Sequence, residues 1–134
     1  VSFTAKEVQY LRSQQLGRLA TVGADGTPHN VPVGYRYNAD LGTIDITGRD
    51  LRRSRKYRDV QAGSRVAFIV DDLPSTAPIV ARGLEVRGTA EALTGDEDLI
   101  RVRPVRIVTW GIEADWQAGP TGRTVRPATP RSAT

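Results

Sequence analysis

The chain has 134 residues, 39% of them hydrophobic and 25% charged, which suits one domain with a modest core and is too short for two. It contains no cysteine, no methionine and one histidine, so disulfides, thiol nucleophiles, iron–sulfur clusters and Cys/His zinc sites are excluded. The net charge of +4 is unevenly held: residues 49–59 carry +4, the segment after Trp116 carries +3, and the rest sums to −3. That clustering suits a small phosphate-bearing ligand better than the broad basic face expected of a nucleic-acid binder.

Thr4 followed by Glu7 reads as a capping box, and Ala5, Val8 and Leu11 share a face, so the first helix is predicted over Ala5–Gln14. Leu16–Val22 alternates as a strand, and Asp25-Gly26 after it reads as a hairpin turn. The next strand spans His29 to Tyr37, and Asn38 to Gly42 turns it into Thr43–Thr47, giving three antiparallel strands in succession. Pro32 lacks an amide donor, so its position within a strand implies an open edge, a bulge, or backbone presented to a ligand.

Gly48 breaks the pattern, and a basic helix is predicted over Leu51–Gln61. Ser64–Val70 is an apolar strand, Asp71–Pro78 a turn-rich connection, and Ile79–Leu93 a long strand whose Gly83 and Gly88 imply bending or a bulge. Leu99–Ile112 reads as the final strand, with Pro104 interrupting its pairing. Five to six strands with two helices and no β-α-β rhythm point to a small antiparallel barrel of α+β character over residues 1–116. Residues 117–134, rich in Arg, Pro and Thr, are expected to be a disordered tail.

The longest aliphatic or aromatic run, Val66–Val70, is far short of a membrane span, and the N-terminal residues lack a secretory pattern, so the expected address is the cytoplasm. The acidic groups Asp71-Asp72 and Asp96-Glu97-Asp98 match no calcium-loop spacing and read as solvated turns, so no metal site is expected. No Gly-x-Ser-x-Gly accompanies His29, so no hydrolase triad is legible, and no protein group is assigned as catalytic. The chemically richest stretch runs from Thr47 through Arg49 to Ser54, Arg55 and Lys56, where a strand end and a helix start offer hydroxyl, guanidinium and ammonium donors to a phosphate.

This layout resembles the pyridoxamine 5′-phosphate oxidase-like split β-barrel flavoproteins. The resemblance rests on Asp25-Gly26-Thr27-Pro28, on Val31-Pro32-Val33, on a strand ending in Thr47 before Ser54-Arg55-Lys56, and on Arg82-Gly83 and Arg87-Gly88. Ser54 to Val60 and Arg103 to Gly111 are most similar to the branch that uses the deazaflavin coenzyme F420. The resemblance implies a six-stranded antiparallel split β-barrel, mainly β with an N-terminal helix and a crossover helix. It implies that Thr47, Arg49, Ser54, Arg55 and Lys56 hold the cofactor phosphate, that Asn30, Val31, Pro32 and Val33 line the ring, and that Trp110, of the same or of the second subunit, closes one end. It further implies a homodimer with the cofactor at the subunit interface, acting as an oxidoreductase that passes a hydride between F420 and a small organic substrate. FMN is the alternative cofactor, a non-enzymatic flavin or deazaflavin carrier the alternative role, and nucleic-acid binding by the basic helix a third reading.

Overall fold

The computed structural model describes residues 2–126. Helix α1 (Ala5–Ser13) leads into β1 (Leu16–Val22), β2 (Pro28–Asn38) and β3 (Thr43–Thr47), and a short 3-10 turn (Leu51–Arg53) precedes α2 (Arg55–Gln61). Four strands follow: β4 (Val66–Thr76), β5 (Ile79–Leu93), β6 (Leu99–Trp110) and β7 (Thr121–Thr124). The capping box forms as expected: the Glu7 amide donates to the Thr4 hydroxyl at 3.2 Å and the Thr4 amide donates to Glu7 Oε1 at 2.9 Å. Among the described residues no helix is long and apolar enough to cross a membrane.

All pairings are antiparallel, in the order β3-β2-β1-β4-β5-β6-β7, and β3 also pairs with β6 through Ile44 to Ile46. That extra ladder joins the two ends of the first six strands into a barrel-like sheet, as the six-stranded antiparallel reading expected. Inward-facing positions fill it with Leu19, Ile44, Ile46, Phe68, Leu84 and Ile100, all fully buried. The α2 helix seals one side through Tyr57 and Val60, with Tyr57 fully buried.

Three differences from the sequence reading go beyond a shift of one or two residues at an element's end. Ser54 breaks the expected Leu51–Gln61 helix: its backbone is extended, its amide closes the 3-10 turn onto Leu51, and its hydroxyl caps the seven-residue α2. The β4 strand continues through the segment read as a turn-rich connection, because Asp72 pairs with Arg82 and Ser75 with Val80. Pro74, without an amide, is accommodated in a register shift between them. The expected disordered tail is ordered through Arg126, with Thr121–Thr124 pairing along Arg106–Thr109 of β6. Backbone pairing, the Arg123 contacts and a single half-buried apolar side chain, Val125, attach this segment, so its composition gave little core signal. The remainder of that expectation, over residues 127–134, lies outside the described residues.

Candidate functional site

Strand β2 is covered on one side by β1 from Pro28 to Gly34, but on its other side β3 reaches only from Gly34 to Asn38. The backbone from Pro28 to Val33 is therefore an open edge, which explains why Pro32 is tolerated there. The start of α2 stands beside this edge. Between them lies a cavity of ≈ 500 Å³ lined by Thr21, Pro28, His29, Asn30, Val31, Ser54, Arg55 and Lys56.

Five of the ten residues expected at a cofactor site thus meet on one cavity wall: Asn30, Val31, Ser54, Arg55 and Lys56. Pro32 is exposed on the adjoining edge. Val33 points into the core at 4% exposure, so its side chain is not available to a ring. Thr47 pairs with Gly34 at the end of β3, and Arg49 is exposed in the following turn; neither lines the cavity. Trp110 also stands apart from it. Trp110 pairs with Gly83, and its ring occupies the space where a Gly83 side chain would be, with an ideal Cβ falling 2.1 Å from the indole.

Arg55 and Lys56 form no salt bridge among the described residues, leaving both cations available to an anion. Arg52, by contrast, is engaged with Asp98 at 3.1 Å. Ser54 is partly committed: its hydroxyl donates to the Leu51 carbonyl at 2.6 Å and accepts from the Tyr57 amide at 3.3 Å, so only an acceptor lone pair remains. The donor set facing the cavity is therefore a guanidinium and an ammonium beside an apolar, partly unpaired strand edge. It fits a phosphate attached to a flat heterocycle.

A second polar group was not legible from the sequence. Asp59, on α2, accepts from the Thr21 hydroxyl at 2.7 Å and lies 2.7 Å from His29 Nδ1. The Thr21 hydrogen bond holds its carboxyl below the ordinary range against the opposing effect of burial, and His29 adds to the lowering. The partners come from β1, β2 and α2, and each contact to Asp59 spans 30 or more residues of sequence, so only the fold assembles them. A neighbouring apolar cavity of ≈ 550 Å³ shares Thr21 and Pro28 with the first and extends along Ala20, Val22, Val66 and Val105 to Arg65 and Arg87.

Residues 3–130 match the family described as Pyridoxamine 5′-phosphate oxidase. The chain is 52% identical over 132 residues to the 5a,11a-dehydrotetracycline/5a,11a-dehydrooxytetracycline reductase of Streptomyces rimosus, covering 92% of this chain and 93% of that protein. In fold it is similar to a conserved hypothetical protein of Mycobacterium tuberculosis, with a TM-score of 0.71 at 20% identity, covering 96% of this chain and 94% of the other. A Mycobacterium smegmatis structure described as an FAD binding protein aligns with a TM-score of 0.62 at 21% identity, covering 90% and 94%.

Proposed function

Because the chain belongs to the pyridoxamine 5′-phosphate oxidase family, we propose that it is an oxidoreductase that moves a hydride between coenzyme F420 and a small organic substrate. The observation that carries this reading is the cavity pairing the open β2 edge with the unpaired cations Arg55 and Lys56. When bound, the reduced deazaflavin supplies the hydride, which accounts for a site without a protein nucleophile. Arg55 and Lys56 hold the phosphate, and Asn30 and Val31 face the ring from the β2 edge. The 52% identity to a dehydrotetracycline reductase supports an activated carbon–carbon double bond in a polycyclic acceptor as the group reduced. We assign the neighbouring apolar cavity, with exposed Val22 and Val105, to the face where a second copy completes the site.

Titration of the purified protein with oxidised F420 and with FMN, followed by ligand fluorescence, tests the reading, with duplex DNA as control. Tight binding of F420 supports it. Tight binding of FMN alone favours a flavin enzyme, and binding of DNA with neither cofactor overturns it. Replacing Arg55 and Lys56 together with Ala is expected to weaken cofactor binding by about 2–4 kcal/mol through lost charge-assisted bonds, with an unchanged melting temperature. Unchanged affinity in that variant removes the pair from the site.

A further inference from the structure

The Thr21–Asp59–His29 chain brings the single imidazole of the molecule to the wall that also holds Arg55 and Lys56. We propose that His29, oriented by Asp59, is a third and titrating anion ligand of this cavity, so that a phosphate-bearing ligand is held when the imidazole is protonated and loosened when it is not. The inference rests on the reading of this cavity as a phosphate site.

The geometry fixes which ring nitrogen is in play. Asp59 Oδ2 lies 2.7 Å from His29 Nδ1, so the carboxylate accepts the Nδ1 proton in either charge state and leaves Nε2 as the other face of the ring. Among the described residues Nε2 has no hydrogen-bond partner. Protonated, Nε2 is a donor to an anionic oxygen; neutral, it presents a lone pair and repels one. Loss of one proton therefore reverses the interaction at a single atom.

The ring is also held against swinging away. An ideal Cβ on Gly23 would fall 3.0 Å from His29 Cε1, so the β1–β2 turn closes over that edge. Asp59 is anchored in turn by the Thr21 hydroxyl, and it stands one helical turn beyond Arg55, so imidazole and cations are referenced to the same helix. The charged groups around His29 are Asp59, Arg55 and Lys56 on α2 and Asp25 in the β1–β2 turn, while Thr21 on β1 is neutral. Asp59 stays ionised and faces the imidazole most closely, with Arg55 also acting on that carboxylate, while neither Arg55 nor Lys56 forms a salt bridge among the described residues.

The experiment uses the single histidine as a reporter. Its imidazole NMR signal is titrated in the wild-type protein with and without saturating orthophosphate, FMN or oxidised F420, and affinities are measured by calorimetry between about pH 5 and about pH 9. Ligand is expected to raise the pH at which His29 titrates. Wild-type affinity is expected to exceed that of His29→Gln by about tenfold or more at the acidic end and to match it at the alkaline end. The ratio between the two proteins cancels the ligand's own ionisation. His29→Lys keeps tight binding across the range, which a purely structural role would not produce. Identical pH profiles in wild type and His29→Gln, or a His29 titration unmoved by saturating ligand, overturn the proposal. If orthophosphate moves the His29 titration while neither cofactor binds, the inference stands and the cofactor reading fails; if a cofactor binds and His29 does not respond, the reverse holds.

Discussion

At the scale of single residues, Asp45 shows how this small domain carries a charge inside. Its side chain is 3% exposed, and it accepts from Arg101 Nε and Nη2 at 3.1 Å, from Asn38 Nδ2 at 2.9 Å and from Thr43 Oγ1 at 2.9 Å. Burial pushes its carboxyl up, and these four donors outweigh burial and hold it below the ordinary range. A carboxyl lowered on folding contributes stability in full above the unfolded value of about 3.9, and the contribution is lost as pH falls through the folded value. Asp45→Asn is therefore expected to lower stability by about 3 kcal/mol at neutral pH, with the difference shrinking toward about pH 3, read from urea midpoints at both conditions. An equal loss at both pH values would assign the effect to packing rather than charge. The candidate site was half legible at this scale. Arg55 and Lys56 stood out as neighbours in one basic run, whereas His29 and Asp59 lie 30 residues apart and offered no spacing to read.

At the scale of elements, glycine and proline positions in the sequence foretold irregular strands, and the structure shows what each irregularity accommodates. The β5–β6 register shifts between Arg87 and Gly88, where Gly88 pairs with Pro104 and Arg87 with Arg106, leaving Val105 as the extra residue. An ideal Cβ on Gly88 would stand 2.0 Å from the Arg103 carbonyl oxygen, and backbone in a ladder cannot move aside cheaply. Gly88→Ala is expected to destabilise the protein by about 2 kcal/mol or more. Gly34→Ala is the control, since nothing lies within 4 Å of its added carbon. Thermal melts of the two variants check the contrast; equal melting temperatures would mean the bulge relaxes freely. The α2 boundary was less legible, because Ser54 sits inside an unbroken basic run and only its extended backbone and cap bond show that the helix begins after it.

For the whole molecule, the ends of the described chain are tied together by one charged contact. Arg123 on β7 donates to both carboxylate oxygens of Glu7 at 2.6 and 2.7 Å and to the Ser2 carbonyl at 2.7 Å, and Glu7 is fully buried. Arg123→Ala would strand that carboxylate, so a loss of about 3 kcal/mol in unfolding free energy is expected, partly recovered by adding Glu7→Gln. Denaturant unfolding of the single and double variants checks this, and a negligible loss in the single variant would show that water replaces the arginine. The sequence by itself determined the alternation that makes strands, the capping box, the irregularity that Pro32 imposes on its strand and the concentration of cations before Tyr57, because each depends on neighbours along the chain. Tertiary structure alone decided the β3–β6 ladder, the attachment of β7, the burial of Val33, the separation of Trp110 from the cavity and the meeting of His29 with Asp59. Those depend on which distant segments approach, and a pattern of period two or 3.6 records which way a side chain faces but not what it faces.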